Sequence, residues 1–174
     1  VGDTNWTDGV TWTNGSAADF TGAGEAVTLA TPAMTTGTVT FSAGAYTLNT
    51  DSNSMIWDAM AGTAGFTKSG AGTLTINGTG GASGTINLTG GQITVGGTTA
   101  LGTTSIAADG GSTVLAANGY NIANAVSLAN GAKLSTTAGS TVSSSISLGA
   151  GGGNLSGGAG NYGIFTGKIT GGTA

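Results

Sequence analysis

Seven carboxylates are the only acids in the chain: Asp3, Asp8, Asp19, Glu25, Asp51, Asp58 and Asp109. Glycoside cleavage needs two carboxyl groups held about 5–9 Å apart across a sugar. Asp51 and Asp58 are the close pair beyond the N-terminal stretch, and they flank Met55-Ile56-Trp57, where Trp57 would serve as a sugar platform. Two solvated turns are the simpler account of both acids. Asp3 and Asp8 could share a calcium ion with Asn5, since that cation takes carboxylate and carbonyl oxygens. A solvated N-terminal loop again explains them more simply. The Gly-Gly-x-Gly-x-Asp repeat of calcium-binding β-rolls does not occur, so the isolated Asp109-Gly110-Gly111 reads as a turn.

The remaining candidates are thinner. Gly70-Ala71-Gly72 lacks the third glycine and the Lys-Ser/Thr ending of a phosphate loop, so it also reads as a turn. Lys68-Ser69 has no general base to activate the serine. The Asn-x-Ser/Thr triplets at Asn5, Asn14, Asn77, Asn87 and Asn154 are expected by chance in this composition, and would matter only in a eukaryotic secretory setting. The sequence contains no His, Arg or Cys, which removes imidazole bases, guanidinium clamps and thiolate ligands. The expectation is a non-enzyme with no catalytic, cofactor-binding or metal-binding residues.

Composition says what the rest of the chain must build. Charged residues are 6% of the total against the roughly 25% of ordinary domains. Glycine supplies 36 of the 174 residues and proline one, without the three-residue period of collagen. Hydrophobic residues reach 38% and mean hydropathy is +0.21, the reverse of a disordered chain. Thr, Val and Ile favour strands, while Gly, Asn and Ser supply turns. An all-β protein follows. A net charge of −4, with only Lys68, Lys133 and Lys168 as cations, gives no footprint for nucleic acid. No apolar run is long enough for a transmembrane helix. The first twenty residues have neither a charged n-region nor an apolar h-region, so the expectation is that any signal peptide has been removed. Zero cysteine accords with passage through a bacterial envelope, although many cytosolic proteins also lack it.

Apolar–polar–apolar triplets recur, among them Val39-Thr40-Phe41, Tyr46-Thr47-Leu48, Leu74-Thr75-Ile76, Ile86-Asn87-Leu88 and Val126-Ser127-Leu128. Each is the period-2 pattern of a strand with one buried face. Turn clusters such as Asn77-Gly78, Gly96-Gly97, Asn118-Gly119 and Asn130-Gly131 separate them. Ile86, Ile106, Val126 and Ile146 follow one another at 20-residue steps. Leu74, Ile93, Val114, Leu134 and Leu155 form a second series at steps of 19 to 21. Two interleaved series of one period predict a coil that returns to the same face every turn. Eight such coils would stack to about 40 Å at the strand spacing. Thr and Ser on the outer faces would form ladders, leaving Tyr46, Tyr120 and Tyr162 exposed.

Phe66-Thr67-Lys68-Ser69-Gly70-Ala71-Gly72-Thr73-Leu74-Thr75-Ile76-Asn77-Gly78 resembles the autotransporter-associated β-strand repeat. That repeat reads apolar, x, Lys, x, Gly, x, Gly, Thr, Leu, x, apolar, x, Gly. Gly84-Thr85-Ile86 and Gly90-Gly91-Gln92-Ile93-Thr94-Val95-Gly96 resemble its following strand and closing segment. Asn5-Trp6-Thr7-Asp8-Gly9-Val10-Thr11-Trp12 is similar to the Trp-rich opening of long proteins that carry it. The specific likeness runs from Phe66 to Gly96, and departs from the repeat where an Asn-x-Tyr is usual. The resemblance implies a right-handed parallel β-helix, secreted to the cell surface, with no catalytic residues.

The expected architecture is therefore an all-β, right-handed parallel β-helix (β-solenoid) of about 20 residues per coil. Residues 1–60 are expected to form an N-terminal cap with irregular first coils, and residues 61–174 regular coils. The ending Gly171-Gly172-Thr173-Ala174 nearly copies Ala61-Gly62-Thr63-Ala64, which precedes the Lys68 repeat, so the chain is expected to be part of a longer rod. The expected function is a non-enzymatic surface stalk or filament subunit of autotransporter-passenger type, secreted to the cell surface or beyond. Self-association would run head-to-tail through solenoid ends or by strand donation. The alternative is an adhesin or glycan-binding surface protein, and a polysaccharide-degrading β-helix ranks behind both because Arg and His are missing.

Overall fold

The computed structural model of the chain describes residues 16–24, 26–28, 34–36, 38–57, 65–80, 83–111, 114–137, 139–157 and 163–171. Among them every regular element is a strand, and every strand pairing is parallel. The first wall stacks β1 (Ala18–Phe20), β4 (Val39–Phe41), β6 (Phe66–Lys68), β8 (Thr85–Leu88), β10 (Ser105–Asp109), β13 (Val126–Ala129), β16 (Ile146–Leu148) and β19 (Ile169–Gly171), in that order. The second stacks β2 (Ala26–Thr28), β5 (Tyr46–Trp57), β7 (Thr73–Gly80), β9 (Gln92–Thr99), β11 (Val114–Ala117), β14 (Ala132–Thr136) and β17 (Gly153–Gly157). There β3 (Met34–Thr36) also pairs with β5. A third, shorter wall holds β12 (Asn121–Ile122), β15 (Thr141–Val142) and β18 (Ile164–Phe165).

Parallel neighbours need a long crossover to bring the chain back to the same edge. Here the other walls of each coil supply that crossover, and the result is a β-solenoid of about 20 residues per turn. The alternating triplets then put their apolar members inside. Ile86, Ile106, Val126 and Ile146 stand in register on successive strands, and Ile169 continues the column. All but Ile169 are buried. Toward the N-terminus the first wall pairs Ala18 with Val39, and Val39 with Phe66.

The second column departs from expectation by one residue. Val114 pairs with Gln92 and Lys133, and Leu115 instead sits between Ile93 and Leu134. Successive strand residues point to opposite faces, so this single step puts Leu115 on the core column, where it is fully buried. Tyr46, expected on the surface, pairs with Leu74 at the head of this column and is only 8% exposed. Asn77-Gly78 and Gly96-Gly97, expected as turns between strands, lie within β7 and β9. The register shifts there, between Asn77 and Thr79, and the left-handed φ of 84° at Gly78 bends the strand without ending it.

Both walls run on from the early coils into the later ones, since β4 pairs with β6 and β5 with β7. The early coils differ in their filling. Phe20 stacks on Phe41 at 4.5 Å between ring centroids, and Phe66 meets Phe41 edge-on at 5.8 Å. Later coils use Ile, Leu, Val and Ala in the same space. Trp6 and Trp12, with the cap expected around them, lie outside the described residues.

Candidate functional site

Among the described residues the buried charged side chain is Lys68. It ends β6, where its strand position matches Phe41 on the preceding coil and Leu88 on the next. Its side chain is 1% exposed, so the aliphatic stem occupies a place that neighbouring coils give to apolar residues. The ammonium reaches the corner that follows. It donates to the carbonyl oxygens of Ser69, of Gly70 at 2.9 Å, and of Gly90 on the next coil at 3.3 Å. Gly70 shapes that corner with φ 69°, and a Cβ there would lie 2.0 Å from the Ser42 carbonyl oxygen. One cation therefore ties together two successive corners. Nothing in the type of this residue or in the Lys68-Ser69 pair points to a core position. The alignment of Phe66-Thr67-Lys68 with Val39-Thr40-Phe41 is the signal that points it inward.

Desolvation by burial holds the Lys68 pKa below the ordinary 10.5. The unfolded chain then holds the proton more tightly than the folded one between the lowered value and 10.5. Stability should rise with pH across that window. Urea titrations at stepped pH values up to the ordinary lysine value should show this rise in the wild type and a smaller one in Lys68→Met. Identical slopes in the two proteins would mean that Lys68 titrates as it does in the unfolded chain.

The acidic candidates do not converge on a described site. Asp51 lies in β5, and Asp58 lies outside the described residues, as do Asp3, Asp8 and Glu25. Asp19 is exposed on β1 and accepts a hydrogen bond from the Ser42 hydroxyl at 3.0 Å. Asp109 accepts one from the Asn130 side-chain amide at 2.7 Å, across the corner between adjacent coils. Among the described residues no three of Asp, Glu, His and Cys gather as a metal-binding group, and no helix is long and apolar enough to cross a membrane. Tyr120 is exposed as expected, and Tyr162 lies outside the described residues.

Many polar side chains at the corners are engaged with backbone groups. The Asn124 amide donates to the carbonyls of Gly102 at 3.0 Å and Thr104 at 2.9 Å. The Ser140 hydroxyl donates to the Ala117 carbonyl and accepts from the Gly119 amide. Such contacts satisfy corner groups that no strand ladder reaches.

Two surface features stand out among the described residues. A groove of about 620 Å³ runs over the outer face of the first wall, bordered by Thr38, Thr67, Thr85, Asn87 and Ser105. The other surface is the far side of β17, β18 and β19, which close their sheets without a further partner among the described residues. There the core columns end in Leu155 and in Ile169, the latter 48% exposed, and Ile164 beside them is 55% exposed. No family model matches this chain, and no curated protein or solved structure shows significant similarity to it.

Proposed function

We propose that this chain is a non-enzymatic structural β-solenoid, a surface stalk or filament subunit of autotransporter-passenger type that works outside the bacterial cell. The observation that carries this reading is the continuous parallel stack, with apolar columns held in register and buried along its walls. An open strand edge is a template for another chain, and a contact between unlike ends propagates into an open filament. Head-to-tail self-association belongs to this reading, because a coil of the same spacing on a second copy would continue all three walls at once. The Lys68 repeat and its resemblance to passenger sequences support the extracellular setting.

Sedimentation velocity and electron microscopy over a concentration series test the assembly. End-to-end oligomers should lengthen with concentration, and Leu155→Lys combined with Ile169→Lys should return the protein to monomers. Monomers at the highest concentration, or side-by-side assemblies indifferent to those substitutions, would refute it.

A further inference from the structure

We propose that the groove on the first wall is a binding site for a neutral, polyhydroxylated chain, namely a short uncharged oligosaccharide. The inference is independent of end-to-end assembly, because the groove lies on the side of the rod. Its origin is a single gap in an outward column. By strand register, Thr38, Gly65, Thr85 and Ser105 take equivalent places on four successive coils. Three of them carry hydroxyls and Gly65 carries nothing. No side chain is admissible at Gly65, where a Cβ would stand 2.0 Å from the Thr85 carbonyl oxygen. The close approach of the two coils thus enforces a dip between hydroxyl-bearing neighbours.

The lining decides the ligand class. Thr85 and Ser105 share a hydrogen bond at 3.1 Å between their hydroxyls, and both are exposed. Thr67 and Asn87 stand on the adjacent outward column, adding a hydroxyl and a carboxamide. Each of these groups can both donate and accept, as can the hydroxyls of a sugar. Among the described residues no charged side chain lines the groove. A phosphate or uronate would find no cation there, and a metal ion would find no carboxylate. Four coils span about 14 Å at the strand spacing, enough for an oligosaccharide lying along the rod axis. Phe66, the aromatic among the described lining residues, is only 4% exposed and offers no open ring face, so water competes well for the same hydroxyls and millimolar affinity is expected.

Amide chemical shifts of the whole chain, followed during titration with cellohexaose, test this. Saturable shifts should be confined to the groove residues, and Thr85→Val with Asn87→Leu should weaken binding by about tenfold, the worth of one or two hydrogen bonds. Both positions are exposed, so the double variant should keep the wild-type spectrum elsewhere. Thr75→Val with Thr94→Val, on the second wall, should bind as the wild type does. The proposal is overturned by an absence of shifts at saturating sugar. Equal shifts on both walls, or an equal response to an oligogalacturonate of the same length, would also overturn it.

Discussion

Lys68→Ala should lower the unfolding free energy by about 4 kcal/mol, while Lys68→Met should lower it by about 1–2 kcal/mol. The two variants separate the parts of one side chain. The stem fills a core position between Phe41 and Leu88, and each buried methylene contributes about 0.8 kcal/mol. Alanine removes nearly all of that and leaves a cavity whose cost adds to it. Methionine keeps the volume and loses only the ammonium. That loss has two opposing components. The carbonyls of Ser69, Gly70 and Gly90 lose a charged donor, but the site no longer has to desolvate a cation. Gly70 is exposed and Gly90 half-buried, so water can replace part of the lost donation. Urea denaturation of both variants checks the ordering. If the methionine variant were as unstable as the alanine one, the ammonium rather than the stem would dominate.

This lysine also shows which parts of the solenoid are legible in the sequence. The column of Ile86, Ile106, Val126 and Ile146 is visible because each residue is apolar, each flanking residue is small or polar, and the coil length is constant. The second column fails at Val114-Leu115, where two adjacent apolar residues both fit the period. Only the length of the preceding corner decides which one turns inward, and apolar patterning does not encode it. Lys68 and Tyr46 fail for a different reason. Their polar ends suggest solvent, but strand parity places Lys68 on the face of Phe66 and register places Tyr46 against Leu74, and a long stem or a ring can fill a core position despite its polar end. The groove is the least legible feature. It depends on which outward column receives Gly65, a fact that exists only once three registers are known.

The decisive test of the coil itself is a pair of neighbouring charges. Ile106→Asp should abolish the native transition, and Ser105→Asp should change stability by no more than about 0.5 kcal/mol. The two positions are adjacent on β10 and differ in the face they occupy. Ile106 is 1% exposed, between Ile86 and Val126 on the neighbouring coils. A carboxylate there has no cation among the described core residues of those coils, and a buried unpaired charge costs several kcal/mol. Ser105 points outward beside Thr85, where water can solvate the new charge. In a stack whose coils contact mainly their neighbours, losing one interior coil also uncouples the segments on either side. Limited proteolysis of Ile106→Asp should therefore cut near the substituted coil before the distant ones, and circular dichroism should show a broadened or absent melt. A cooperative melt close to that of the wild type would mean that Ile106 does not lie inside the tube.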